Sequence, residues 1–434
     1  MRAFRNRRRA WTAPLLCLLA FWAPLGTAPA LGQPKPGDDP FAQSQQETVP
    51  ALAAAPSGLS FTFRGFVDVG YINITQTRPP GSGGDLSWAY GNSQFAFPAA
   101  VNTFSVNEVA LIFQGQREYA GRLVGATADV AFYPSRDQQL YLASGADREF
   151  QVAQAYAFVE FPSVWSTRIL LGRAAGFLTL EQQEGRAPDL RIIGHTYVFQ
   201  AGGGYPNGLQ VRTHPGKPFT IKLGASNGGV GDYSFFPGDR STTNLAVANH
   251  GDPKADPKNK PNGMTASGAV DWVLFDRPAD FGTFRVGIGA ASNPSLTYNS
   301  VKDRAEPYAF SNAYLGYRVS DFELRAENAQ LRAYYATSLG LFDATMYSAL
   351  LSYEPSPNHM FTLRNEGISY VTDLDAKKRG QGTKNGLSYR YRIAPPAVLK
   401  LEYVTEDQSP QFWRISDGKS LTTNVAAASW VYSF

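Results

Sequence analysis

Residues 385–406 read NGLSYRYRIAPPAVLKLEYVTE, and the order of polar and apolar side chains along this stretch decides the fold. Leu387, Tyr389, Tyr391 and Ile393 alternate with Ser388, Arg390 and Arg392; after Pro395-Pro396, Leu399, Leu401 and Tyr403 alternate with Lys400 and Glu402. A period of two belongs to an extended strand, whose successive side chains point to opposite faces. Prolines cannot donate to a ladder, so the pair between the two runs marks a tight turn. One face of this hairpin is aliphatic and aromatic, and the other is charged at every second position. Such charge makes a poor core for a closed soluble sheet. It suits a barrel whose outside meets lipid and whose inside is wet. A sheet in hydrocarbon must also close, because an open edge leaves backbone groups unsatisfied.

The same period recurs along the chain. Near its start Phe61, Phe63, Val67, Val69 and Tyr71 share one face, with Thr62, Arg64, Asp68 and Gly70 on the other. Sixteen strands are expected at 59–74, 102–117, 122–133, 149–161, 166–174, 207–214, 217–226, 266–276, 281–293, 308–319, 322–333, 343–354, 359–371, 385–394, 397–406 and 422–434. Every second connection is tight: Glu118–Gly121, Pro162–Trp165, Pro215-Gly216, Arg277–Asp280, Ser320-Asp321, Pro355–Asn358 and Pro395-Pro396. The others are long, and both chain ends of the sheet then lie on the tight-turn side. Outer-membrane barrels segregate short periplasmic turns from long outward loops in this way, whereas soluble sandwiches and propellers have no reason to. The expected fold is all-β, a transmembrane antiparallel up-and-down barrel of about sixteen strands (fourteen to eighteen) over residues 59–434.

Composition agrees. The 434 residues include 28 Phe, 22 Tyr, 7 Trp and 41 Gly but only 18% charged residues, a mix that favours strands and turns over helix bundles. No apolar run reaches the length of a membrane helix. Arg2, Arg5, Arg7, Arg8 and Arg9 precede an apolar stretch from Trp11 to Leu25, and Ala28-Pro29-Ala30 supplies small residues for cleavage. Residues 1–30 therefore read as a signal peptide, and the Pro- and Gln-rich 31–58 as a flexible periplasmic lead-in. Cleavage removes five Arg and the single cysteine, Cys17, leaving 35 bases against 36 acids. The formal charge of +4 thus belongs to the discarded end and gives no reason to expect nucleic acid as a partner. A disulfide scaffold is excluded for the mature chain. The sequence ends Trp430-Val431-Tyr432-Ser433-Phe434, three aromatics on one face of a strand. That ending resembles the signal read by the outer-membrane assembly machinery.

Several short runs carry a family resemblance. They are Phe63-Arg64-Gly65-Phe66-Val67-Asp68-Val69-Gly70-Tyr71, Phe104-Ser105-Val106-Asn107-Glu108-Val109-Ala110-Leu111, Gln154-Ala155-Tyr156, Leu171-Gly172-Arg173 and Ser226-Asn227-Gly228. In this order they resemble the β-barrel porins of the OmpL-like family, chiefly over the N-terminal half. Beyond about residue 230 only generic barrel patterning continues. The resemblance implies a passive channel for small solutes, with no substrate implied.

Reading the inward face from the alternation gives the candidate pore lining. Arg64, Asp68, Glu108, Asp129 and Glu160 come from strands one to four. Arg318, Arg325, Arg364, Glu366, Arg390, Arg392, Lys400 and Glu402 come from strands ten to fifteen, with Glu323 and Glu327 among them. Strands six to nine add Arg212, Lys222 and Arg285 against Asp271. The signs nearly balance, so the count predicts no strong ion selectivity. Their distribution suggests an acidic wall on the early strands facing a more basic one, with a transverse field between them. For any single residue, a solvated and paired lumen charge is the simpler reading. Connection 175–206, which carries Glu181, Glu184, Arg186, Asp189, Arg191 and His195, is the natural candidate to fold inward as a constriction. The alternatives are an outward loop or an extra strand at 191–200. Asp252-Pro253-Lys254 and Asp256-Pro257-Lys258 mark the longest connection as exposed and mobile.

Enzyme chemistry finds little footing. His195, His214, His250 and His359 lack metal-ligand spacing, so no metal is expected, and no Gly-x-Ser-x-Gly elbow occurs. Gly287-Ile288-Gly289 lies inside a strand pattern with no helix behind it, so it is no dinucleotide turn. The expectation is an outer-membrane porin for small hydrophilic solutes with no catalytic residue and no cofactor. Its partners would be outer-membrane lipid and the assembly machinery, and a homotrimer is expected by analogy alone. Two alternatives remain: an anion-selective channel of phosphate type built on Arg390, Arg392 and Lys400, and a non-conducting barrel serving as adhesin or anchor.

Overall fold

The computed structural model describes residues 58–76, 104–132, 150–162, 164–184, 187–216, 218–227, 264–277, 281–299, 304–335, 340–372, 379–409 and 420–434. The expected signal peptide, nearly all of the lead-in, Arg186, the Asp-Pro-Lys repeats and most long connections lie outside the described residues.

Sixteen strands follow one another: β1 Ser60–Gln76, β2 Phe104–Tyr119, β3 Arg122–Phe132, β4 Phe150–Phe161, β5 Thr167–Arg173, β6 Asn207–Gly216, β7 Phe219–Asn227 and β8 Met264–Arg277. The second half continues with β9 Gly282–Asn299, β10 Arg304–Val319, β11 Phe322–Tyr335, β12 Gly340–Ser356, β13 His359–Thr372, β14 Arg379–Ala394, β15 Ala397–Gln408 and β16 Leu421–Ser433. Each pairs antiparallel with its sequence neighbours, and β1 pairs with β16 to close the barrel. The seam continues to the last residue, where Gly65 and Phe434 exchange both backbone hydrogen bonds at 2.9 Å. Closure leaves no edge strand with unpaired amides.

All sixteen expected strands are present, and the differences lie at their far ends. β14 begins at Arg379, six residues before the expected 385, and β9 continues to Asn299. The stretch Arg379–Lys384 is glycine-rich and polar and shows no apolar alternation. Register decides its state: Val371 lies opposite Arg379 and Tyr370 opposite Gly380. The Tyr370 ring lies over Gly380, where an added Cβ would stand 2.2 Å from Tyr370 Cζ. Among the tight turns, Ala120 and Gly121 both adopt positive φ (51° and 71°), as a two-residue mirror-image turn requires.

The outward face is apolar. Close to the tight turns it carries aromatic pairs, among them Phe63–Phe113, Phe219–Trp272, Phe322–Tyr353 and Phe361–Tyr389, with centroids 4.6 to 5.5 Å apart. Farther along the strands exposed Leu171, Leu223, Ile288, Leu363, Leu387 and Leu401 continue it. Trp430, Tyr432 and Phe434 also face out, and the Phe434 ring lies 6.1 Å from Phe63. The inward face is where the charges sit, but it is not uniformly polar. Tyr308, Phe310, Leu331, Met346, Ile368 and Tyr370 are buried inside β10–β13. The expectation of a wet interior is corrected there, because those side chains pack on a segment of the chain.

Candidate functional site in the barrel interior

The segment 174–206, between β5 and β6, supplies that packing partner. Its neck is pinched by Ala174 N to Pro206 O (3.3 Å) and Gly176 N to Gly204 O (2.8 Å). Gln182 closes it further by accepting from Gly204 N at 2.9 Å and donating to Gly204 O. Glu181–Glu184 forms a 3-10 turn, and Tyr197–Gly202 a short helix, α1, capped by Thr196 Oγ1 accepting from Phe199 N at 3.1 Å. The alternative of an extra strand at 191–200 is thus excluded by α1. Phe177, Leu178, Tyr197 and Val198 pack on the apolar inner patch of β10–β13, and Ile193 on Ile72, Ile74, Val404 and Val425. Each fully buried side chain of this kind contributes roughly 1.5–3 kcal/mol.

Polar anchoring uses wall carboxylates as acceptors for backbone amides. Leu180 N donates to Glu327 Oε1 at 2.8 Å, Ile193 N and Gly194 N to Glu402 Oε2 at 2.8 and 2.9 Å, and Tyr197 N to Glu366 Oε2 at 2.8 Å. Arg364 joins two of these acids, donating to Glu402 at 2.6 Å and through Nε to Glu366 at 2.7 Å, and it also donates to His195 O at 3.1 Å. Arg191 pairs with Glu323 at 2.7 Å, which Arg325 also holds at 2.5 Å. Lys400 donates to Ala187 O. Tyr197 donates its hydroxyl to Glu406 at 2.5 Å, and Lys384 Nζ lies 4.1 Å from the centre of its ring. Burial, with Glu406 and Glu366 beside it, holds the Tyr197 phenol well above its usual range, so it remains a donor. Within the segment His195 bonds Glu181 and stacks on Phe199 at 4.1 Å, while Thr196 N donates to Glu181 Oε2 at 2.9 Å.

The sequence-predicted residues therefore divide. Arg325, Arg364, Glu366, Lys400 and Glu402 face inward and contact the segment or its ion pairs. Asp68 is buried, accepting from Ser429 Oγ at 2.5 Å and Asn107 Nδ2 at 3.2 Å. Asp129, also buried, accepts from Gln154 at 3.4 Å, and Glu108 is buried too. Arg318 pairs with Glu354 at 3.4 Å, and Arg64, Glu160, Arg390 and Arg392 are half-buried. Asp189 is exposed, and the side chain of Glu184 lies outside the described residues. The trio Arg390, Arg392 and Lys400 is split, since Lys400 is engaged by Ala187. Glu406, Lys384 and Tyr197 were missed. Glu406 ends an expected strand on its inward parity and Lys384 stands one residue before another, a signal that was available, whereas Tyr197 lies on α1 and carries no strand alternation.

Charge segregates along the barrel axis more than from wall to wall. On the inward parity, within four residues of a tight-turn end of their strands, stand Arg168, Arg212, Lys222, Arg285, Arg318, Arg325, Arg390, Arg392 and Lys400, against Glu118, Glu160, Asp276, Glu323 and Glu354. Farther along come Asp68, Glu108, Asp129, Asp271, Glu327, Glu366, Glu402 and Glu406, with Arg364 and Lys384 among them. The suggested acidic wall on early strands is thus one sector of an acidic zone that β11–β15 share.

No family model matches the chain, and no curated protein does. Solved structures do. The outer-membrane channel DcaP of Acinetobacter baumannii is 16% identical, with TM-score 0.54 over 88% of this chain and 99% of that one. The anion-selective porin from Comamonas acidovorans is 12% identical, with TM-score 0.56 over 87% and 100%. OmpF of Salmonella typhi is 10% identical, with TM-score 0.55 over 87% and 98%. At these identities the likeness is one of fold: the closed sixteen-stranded barrel.

Proposed function

We propose that the mature chain is an outer-membrane porin through which small hydrophilic solutes diffuse passively, and that segment 174–206 is its constriction. The carrying observation is the combination of an apolar outer surface, edged by aromatic pairs, with a charged interior holding an anchored inward segment. A spanning barrel requires the first, and a solute path the second. Residues 1–30 serve as the export signal, and the Trp430–Tyr432–Phe434 face as the signal for the assembly machinery. An outer-membrane channel and an anion-selective porin among the structural neighbours support this reading, and a homotrimer is the assembly it brings by analogy.

Bilayer recordings on the refolded mature chain test it. Discrete, stable openings with ohmic conductance are expected. A folded, heat-modifiable barrel that never conducts refutes the pore and favours an anchoring role. Arg390→Gln plus Arg392→Gln, at two half-buried inward positions, should shift the reversal potential in a salt gradient toward cations. An unchanged potential would remove those residues from the solute path.

A further inference from the structure

We propose that the cavity where the inward segment leaves the wall is a site for one ordered water molecule, held by Ser226 and tying the neck of the segment to β7. The inference concerns how the segment is fixed, goes beyond the porin reading, and does not require the barrel to conduct.

The cavity lies between the neck and the inner faces of β6, β7 and β8. Gly176 and Phe177 border it from the segment, and Gly208, Gly224, Ser226 and Ser267 from the wall. Its volume of about 10 Å³ matches what a single water needs. It exists because the wall has no side chain at two inward positions, Gly208 and Gly224. Phe177 reaches across Gly224, where an added Cβ would stand 3.3 Å from Phe177 Cζ and 2.5 Å from Ser267 Oγ. The ring of the segment and the hydroxyl of β8 thus meet over the same glycine, and the space beside them stays open.

Ser226 is the second observation. Its side chain takes the inward face, two residues on from Gly224, and is only 5% exposed. Its Oγ makes no hydrogen bond among the described residues. The ladder explains why. Ser226 lies opposite Gly208 on β6 and Thr265 on β8. Gly208 brings no side chain, and Thr265 Oγ1 accepts from Asn293 Nδ2 at 3.2 Å. A hydroxyl buried without a partner forfeits its hydration, and one water in the adjoining cavity restores it. Such a water needs two to four polar partners. Ser226 Oγ and Ser267 Oγ supply two from the wall. The backbone at Gly176, bare of a side chain, brings the polar groups of the segment to the same place. Its amide already donates to Gly204 O at 2.8 Å across the neck, so the water would brace a pinch that is present in the chain.

Two measurements test the site. In a crystal structure of the mature protein resolved well enough to show ordered water, a density peak is expected within hydrogen-bond distance of Ser226 Oγ. A wild-type cavity without density there overturns the proposal. The second is hydrogen exchange of the Gly176 and Gly204 amides in detergent-folded Ser226→Ala, for which the wet and dry readings give opposite signs. If water bridges wall and neck, the variant loses one of its partners, and both amides should exchange at least fivefold faster. If the cavity is dry, alanine removes a buried hydroxyl that had no partner, and exchange should slow. Slower exchange, or a change of less than twofold, overturns the proposal. Amides of β13, remote from the neck, should stay within twofold of wild type, and heat-modifiability on gels confirms that the variant is folded.

Discussion

Removing the carboxylate of Glu402 should undock the inward segment while leaving the barrel intact. Glu402 accepts from two segment amides, Ile193 N and Gly194 N, and pairs with Arg364 at 2.6 Å; both charged side chains are only 1% exposed. Taking one partner from a buried ion pair costs about 3–5 kcal/mol, because the other charge stays desolvated. Arg364 retains Glu366, so the lower part of that range applies to Glu402→Ala. The sixteen-strand ladder is untouched, and the free energy of local opening of 187–202 should fall by that amount. At about 1.4 kcal/mol per tenfold, amide exchange in the segment should accelerate by roughly two orders of magnitude or more. The amides of Tyr197 and Phe199 are the reporters, since their acceptors, Glu366 and Thr196, are not mutated. Glu402→Gln, which keeps an acceptor and loses the charge, should fall between Ala and wild type. Hydrogen exchange on detergent-folded protein, with β7 amides as an internal control, reads all three. If Tyr197 and Phe199 exchange within twofold of wild type in a folded Glu402→Ala barrel, the wall carboxylate does not hold the segment.

Three further outcomes follow from other contacts. A Cβ on Gly202 would stand 2.2 Å from Phe310 Cζ, so Gly202→Ala should loosen α1 by about 1–3 kcal/mol in the same exchange assay, with Phe310→Ala restoring part of the protection. Deleting Phe434 removes both backbone bonds to Gly65 and the ring against Phe63, so the heat-modifiable fraction after refolding should fall; an unchanged yield would deny the terminal pair a role in closure. Burial alone would raise the Glu181 carboxyl, but His195 and the Thr196 bonds outweigh it and hold the group below its ordinary value. Its contribution is therefore present in full above the ordinary carboxylate range and is lost as pH falls through the lowered value. The difference in channel noise between wild type and Glu181→Gln should be constant near neutrality and vanish in acid; a difference that grows in acid contradicts the sign.

Strand existence was legible because a barrel writes itself locally. Every residue in the run Leu387–Ile393 knows its face from its neighbour, and the double proline fixes the turn. The far ends were not legible, since Arg379–Lys384 becomes strand through its partner β13 and through the Tyr370 ring over Gly380, both remote in sequence. The inward segment was foreseeable from position and length alone. Its anchoring was not: Glu366 and Glu402 look like any inward acid until Tyr197 N and Gly194 N arrive from about 170 and 208 residues away. Axial charge order was hidden for a different reason. Alternation tells which face a residue takes, whereas its height depends on register accumulated around a tilted sheet.

The seam between β1 and β16 has a consequence for how the molecule is made. Its two halves are β1 and β16, so closure waits until β16 is present. The inward segment leaves β5 early, yet its acceptors lie on β11, β13 and β15. It must therefore stay without them until the C-terminal half has curled round to meet it. Long-range pairing of this kind is slow, because the ordering cost comes before the contacts that offset it. Until the seam forms, two strand edges and an apolar segment are exposed together, which is the state an escort in the periplasm would have to protect.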